Sequence, residues 1–255
     1  ALLAKPATDW ESLLQSIGVP TAVIRTRDEW LALESMLSSG VLTKMDDGQS
    51  TLTVPGRAVD VSGPNGSLIE GFNEAIAITA EEAEALVPNK DSRMGTTVAP
   101  VHKGDLLKGL KVLDFTNLVA GPNSTYTLAQ YGAEVIKADA PDFLHPGLID
   151  MMRDLNQSKR SVLTDLSTQP GREIFERLVK WADLIVHNSV DGTAERLGVT
   201  QPQIQAINPE AIVCQFSAFG GSFRGRGGWE ERSGFDPLAQ CSSGMTIHYG
   251  SFDVP

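Results

Sequence analysis

The sequence predicts an α/β fold: a doubly wound, mostly parallel sheet preceded by a small α+β segment. Three observations carry that reading. From residue 106 onward, apolar runs of four to six residues alternate with amphipathic stretches of helical length, the rhythm of β–α–β units. The helices that separate them are about ten residues long, which argues for a parallel sheet covered on both faces. Residues 88–105, by contrast, are polar and aperiodic, which marks a linker. The expected organisation is a small segment over 1–87, a linker over 88–105 and a sheet domain over 106–255.

Each element has its own local reason. Over residues 8–18, Trp10, Leu13, Leu14 and Ile17 share one helical face, with Thr8 or Asp9 to start the helix and Gly18 to end it. Val19 to Ile24 reads as extended. A second helix fits Arg27 to Leu37, with Trp30, Leu33, Met36 and Leu37 inward. Residues 46–72, rich in Gly, Asp, Ser and Pro, suit loops and short strands, and Thr79 to Leu86 reads as a short acidic helix. In the sheet domain, strands are expected at Lys111–Phe115, Glu134–Ala138, Ser161–Leu163, Asp183–His187 and Ala211–Phe216. Between them, Pro122–Tyr131 forms a helix ended at Gly132, and Gly171–Ala182 a helix burying Ile174, Phe175, Leu178, Val179 and Trp181 or Ala182. Thr200 with Gln203 makes a capping box for a helix ending near Asn208.

Composition narrows the function. With 41% hydrophobic and 21% charged residues over 255 positions, the chain is globular, in one large or two modest domains. No apolar run reaches the ~18 residues of a membrane span. The start Ala1-Leu2-Leu3-Ala4 lacks the basic and apolar regions of an export signal, and two cysteines, Cys214 and Cys241, give no disulfide framework. A cytoplasmic home is expected. A formal charge of -11 disfavours nucleic acid, although helix N-termini and local cations can still hold a polyphosphate. His102, His145, His187 and His248 lack metal-ligand spacing, so no metal is assigned.

A doubly wound sheet binds ligands at the C-terminal ends of its strands. After the first strand there is no Gly-x-Gly-x-x-Gly; Asn117-Leu118-Val119-Ala120-Gly121-Pro122 stands in its place, which argues against nicotinamide or flavin chemistry. No phosphate loop ending in Gly-Lys-Ser/Thr occurs, which argues against nucleotide hydrolysis.

From Leu106 to Pro255 the motifs resemble the family III (CaiB/BaiF) CoA-transferases, formyl-CoA transferases among them. The resemblance rests on Leu110-Lys111-Val112-Leu113-Asp114-Phe115 with Ala120-Gly121-Pro122, and on Leu128-Ala129-Gln130-Tyr131-Gly132-Ala133-Glu134-Val135-Ile136-Lys137. It continues through Asn156 with Ser158-Lys159-Arg160-Ser161-Val162, Ala182 to Asn188, Arg196-Leu197-Gly198, Ile207-Asn208-Pro209, Phe219-Gly220 and Gly234 to Gln240. Residues 1–85 resemble the family's C-terminal portion, through Trp10-Glu11-Ser12-Leu13-Leu14 and Gly18-Val19-Pro20. That order is the reverse of an ordinary member. It implies the middle of a tandem fusion, or else a circular permutation.

The resemblance implies a Rossmann-like CoA-binding half and transfer of CoA from an acyl-CoA to a carboxylic acid through an aspartyl covalent intermediate. It places the nucleophilic aspartate beyond the stretch at Gly234–Pro237. Asp253 precedes that loop, so no residue here is named as nucleophile and it is expected outside this chain. Coenzyme A is expected at Asn117, Leu118, Val119 and Ala120, with Asn188 beside them and Arg196 on the phosphates. Asn188 is alternatively a cap for a helix beginning near Asp191, and Arg196 a solvated helix residue. Lys159-Arg160 reads as an exposed turn. Gly220 to Gly228 is either a lid over the thioester or a plain connection. Ala140, Ser189 and Thr164 depart from the formyl-CoA transferase pattern, which leaves open a non-catalytic CoA-binding or scaffold lobe. A 2-methylacyl-CoA racemase is disfavoured, because Phe235 stands where those members carry histidine. The family's interlocked dimers imply a homodimer, or a companion unit of the same polypeptide.

Overall fold

The computed structural model describes residues 2–46, 49–63, 106–141, 149–221 and 227–250. The acidic helix expected at 79–86, the linker and Asp253 lie outside the described residues.

Five parallel strands form the sheet: β3 (Lys111–Phe115), β4 (Glu134–Asp139), β5 (Arg160–Leu163), β6 (Leu184–His187) and β7 (Ile212–Gln215), in the order β5-β4-β3-β6-β7. The chain steps from β3 outward to β4 and β5, then returns to β3's other side for β6 and β7. Strand order therefore reverses between β3 and β6, and their C-terminal ends flank the crevice of a doubly wound sheet. Strand side chains alternate between faces. Leu113 and Ile185 pack with Phe175 and Val179 of a helix at Gln169–Trp181, with Ala194 and with Ile204. On the opposite face Val112, Val135 and Val186 meet Leu128 and Ala129 of the helix at Ala120–Gln130. Phe175 and Val179 are one helical turn apart. Ile174 sits about 100° round from Phe175, and at 38% exposure it is turned outward rather than buried as expected.

In chain order the helices are α1 (Ala7–Ser16), α2 (Arg27–Leu31), α3 (Glu34–Ser38), α4 (Ala120–Gln130), α5 (Ile149–Leu155), α6 (Gln169–Trp181), α7 (Asp191–Leu197), α8 (Gln201–Ile207), α9 (Asp236–Ser242) and α10 (Met245–Tyr249). Thr200 and Gln203 make the expected capping box of α8. The final two helices were not anticipated, although Pro237 in the first turn of α9 was a usable signal. Among the described residues no helix is long and apolar enough to cross a membrane.

The N-terminal segment corrects the sequence reading most. The helix expected over Arg27–Leu37 is two helices, because Leu33 is extended at ψ 112. That break lets Trp30 and Leu31 reach the same cluster as Met36 and Leu37. β1 (Leu42–Asp46) and β2 (Thr51–Pro55) pair as an antiparallel hairpin, while Val19–Ile24 joins no strand. On α1 the apolar face is not the buried one: Leu13 is 42% and Ile17 67% exposed, and Glu11 is 3% exposed. The reason is electrostatic. Glu11 accepts from both Arg25 Nη1 and Nη2 and from the Val23 N–H, and a buried carboxylate goes where its donors are.

Candidate functional site

The crevice between β3 and β6 is built by an unusual turn. β3 ends at Phe115, and Leu118 follows with φ 66, a left-handed conformation that costs a leucine on the order of 1–2 kcal/mol. Thr116 fixes the turn from below, its N–H and Oγ1 both donating to Asp114 Oδ1, at 2.8 and 2.6 Å. Gly121 lies so close that a Cβ there would stand 2.2 Å from Thr116 Cβ. The start of α4 is thereby pressed onto the strand end. Its cap position holds Val119, which gives no side-chain hydrogen bond, and its first turn carries no acidic residue. α2, α6 and α8 are capped by Thr26, Thr168 and Thr200, whereas α1, α3, α7, α9 and α10 share with α4 the lack of a side-chain cap. An uncapped helix start presents N–H donors and partial positive charge, the features that receive anions.

Across the crevice, Asn117 N–H donates to Asn188 Oδ1 and Asn188 Nδ2 donates to the Asn117 carbonyl, each at 2.8 Å. This reciprocal clasp joins the C-terminal ends of β3 and β6. It overturns the capping alternative for Asn188: Val190 holds the cap position of α7. The structure thus brings Asn117, Leu118, Val119, Ala120 and Asn188 to one place. Arg196 is apart from them, exposed in the last turn of α7, about 8 Å along the axis from that helix's first residue. Ser189 borders the clasp and its carbonyl accepts from Gln215. Thr164 is buried and donates its hydroxyl to the Gly171 carbonyl.

A buried ionic network lies beneath α4. Lys159 Nζ donates to Asp114 Oδ2 at 3.0 Å and to the Pro122 carbonyl and Asn156 Oδ1 at 2.8 Å each. Thr125 Oγ1 donates to Asp114 Oδ2 at 2.6 Å, and Lys137 pairs with Asp139. Burial pushes the Asp114 carboxyl up, but Lys137, Lys159 and the two threonine donors outweigh it and hold it below the usual range. Burial lowers Lys159, with Asp114 opposing. Lys159 is therefore not the exposed turn residue the sequence suggested, whereas its neighbour Arg160 is 61% exposed. One signal would have found it: an aspartate inside an apolar strand needs a buried partner.

His187, at the end of β6, is buried, and its Nδ1 has no hydrogen-bond partner among the described residues. Burial lowers its pKa to about 4, against partial opposition from Asp191. The folded value is thus below the unfolded value of ~6.5. As pH falls from about 6.5 towards 4, the unfolded chain takes a proton the folded one refuses, and about 3 kcal/mol of stability is lost. Above that window the stability is fully present and this group gives it no pH dependence. Denaturation of His187→Phe should show a flatter loss of stability between these pH values than the unaltered chain.

Residues 107–255 match the family model for CoA-transferase family III. The chain belongs to that family. The CoA-transferase/lyase DddD of Marinomonas sp. is 30% identical over 266 residues, a match covering 100% of this chain and 31% of that protein. The formyl-CoA:oxalate CoA-transferase of Rhodopseudomonas palustris is 34% identical over 159 residues, covering 58% of this chain and 36% of that one. Rv3272 of Mycobacterium tuberculosis, a solved structure, is 32% identical with a TM-score of 0.50, covering 58% of this chain and 42% of that chain. The chain thus spans about a third of the length of the curated relatives it matches.

Proposed function

We propose that this chain carries the acyl-CoA-binding half of a transferase that moves CoA from an acyl-CoA to a carboxylic acid. The nucleophilic aspartate is contributed by residues outside it. The observation that carries the reading is the crevice between β3 and β6, closed by the Asn117–Asn188 clasp and opening onto the uncapped start of α4. These residues fit CoA. The α4 start offers donors to a diphosphate, the exposed Val119 offers apolar surface to a base, and the turn carries no carboxylate to repel either. Asn117 to Ala120 would hold the adenine and ribose end, Asn188 would keep the turn in place, and Arg196 would meet phosphates along the outside of α7.

In this reading an aspartyl carboxylate attacks the thioester carbonyl and expels CoA thiolate to give a mixed anhydride, and the thiolate then attacks the aspartyl carbonyl, releasing the donor acid and leaving an enzyme-bound CoA thioester. The chain's own task is to orient the donor. The DddD match supports a tandem-fusion piece, because it covers 100% of this chain and only 31% of that longer protein. The working assembly is then a homodimer or a companion unit of the same polypeptide. Racemisation would need an acid/base pair, and Phe235 at the cap position of α9 transfers no proton.

A second reading, a lobe that only binds CoA or scaffolds its companion, is favoured by Thr164, whose hydroxyl is committed to the Gly171 carbonyl beside β5. Calorimetric titration with CoA and acetyl-CoA separates a CoA-binding chain from a lobe that only scaffolds. Micromolar binding, weakened about two- to fivefold by Arg196→Ala, is expected for the loss of one exposed ion pair. Absence of heat for either ligand would leave the scaffold.

A further inference from the structure

The N-terminal segment is built into the sheet domain. Met36 and Leu42 share an apolar cluster with Phe219 and Trp229, and the Arg25 N–H donates to the Cys241 carbonyl at 3.0 Å. Gly220 and Gly227 both press on the end of α3: a Cβ at either would fall 2.9 Å from Ser39 Cβ.

Trp229 is the joint. The Arg232 guanidinium lies 3.7 Å from its ring centroid and that of Arg25 5.2 Å. Both arginines converge on Glu11, at 3.4 and 2.7 Å from its Oε2. Burial raises the Glu11 carboxyl, but Arg25, the Val23 N–H and Arg232 outweigh it and keep it ionised. A buried charge held by two arginines and an aromatic face fixes residues 229–232 against the N-terminal segment.

From this joint the chain reaches the other way. Glu231, next to Arg232, accepts the Gly192 N–H through Oε1 at 2.8 Å. α7 has no side-chain cap of its own, so Glu231 supplies from a distant part of the chain the acceptor and the negative charge that a helix start favours. α7 begins at Asp191, three residues after Asn188. Gln215 ties the span between, donating to the Ser189 carbonyl at 3.1 Å and to Asp191 Oδ1 at 2.9 Å.

We propose that Glu231 is a positioning residue for the Asn117–Asn188 clasp, through which the N-terminal segment sets the geometry of the CoA crevice. The CoA part of this statement rests on the function proposed above; the clasp part does not. The chain of contacts is continuous: Glu11 and Trp229 to Arg232, Glu231 to Gly192, Asp191 and Ser189 to Asn188. If residues 1–63 close one catalytic unit and the sheet opens the next, the end of the first unit aligns the ligand crevice of the second.

The test uses the full chain, labelled with 15N, with the Gly192 amide and the Asn188 side-chain amide followed by NMR and CoA affinity measured in parallel. Glu231→Ala should speed Gly192 exchange about tenfold, move the Asn188 signals and weaken CoA about fivefold, in line with the loss of a helix cap. Glu231→Gln keeps an acceptor for Gly192 and should bring all three readouts back to within about twofold, since the hydrogen bond survives. Arg232→Met, which removes the guanidinium from Trp229 and Glu11 but leaves Glu231, should move the Asn188 signals in the same direction. Asn188 signals that stay in place in Glu231→Ala would overturn the proposal, as would a Glu231→Gln chain that behaves like the alanine variant. Failure of the unaltered chain to bind CoA would reject the proposed function, while the two amide signals would still decide the coupling.

Discussion

Replacing Lys159 with methionine is expected to cost about 3–5 kcal/mol of folding stability, because it leaves a buried carboxylate short of its partner. Methionine keeps most of the length and apolar stem of lysine, so the loss reports charge and hydrogen bonds rather than a cavity. Asp114 has no exposed surface, and it would retain only Lys137 nearby and the donors on Thr116 and Thr125. The Pro122 carbonyl and Asn156 Oδ1 would lose their ammonium donor as well. Arg160→Met, one residue on, breaks the exposed pair with Glu134 and should cost under about 1 kcal/mol. Chemical denaturation of the two variants at pH 7 makes the comparison. Adding Asp114→Asn to Lys159→Met should recover part of the loss, since the stranded charge is then gone. Equal costs for Lys159→Met and Arg160→Met would contradict the buried network.

The second large effect belongs to Gly121. Alanine there gains helix propensity worth about 1 kcal/mol, yet its methyl would stand 2.2 Å from Thr116 Cβ and 2.7 Å from its Oγ1. Neither side yields easily: Thr116 is held by two bonds to Asp114, and α4 by Lys159 on the Pro122 carbonyl and Thr125 on Asp114. Overpacking of this kind costs about 3 kcal/mol or more where the backbone is fixed. Gly109→Ala is the control. Gly109 lies at φ 96 with open space around it, so only backbone strain of about 1 kcal/mol is expected. Denaturation midpoints should separate the two variants clearly, and CoA binding should be lost in Gly121→Ala even where the fold persists at low temperature.

The sheet was legible because its chemistry is local. Lys111–Phe115 and Glu134–Asp139 each hold a short apolar centre with breaks on either side, and their parallel pairing follows from the single helix that connects them, a β–α–β crossover. The α4 entry was legible as Gly121-Pro122, and Asn117 and Asn188 could be named one at a time. Their clasp could not be read, since the two residues are 71 positions apart and either side chain has many local uses. Nor could the positive φ of Leu118, where no glycine announces the turn. The α1 face misled for a different reason. Apolar spacing shows which positions prefer burial, but Glu11 is drawn in by Arg25 and Arg232, and Arg232 is far away along the chain. Lys159 was misread for the same reason, because its partner Asp114 lies two strands earlier.

Titration of CoA into the full chain, with Asn188→Ala alongside, decides whether CoA binds the crevice made by the Asn117–Asn188 clasp and the start of α4. Micromolar affinity for the unaltered chain, lost by about tenfold or more when the clasp is removed, is the predicted result, as expected when a pre-formed turn must be ordered on binding. CoA affinity equal in the two chains would place the ligand elsewhere and contradict the account.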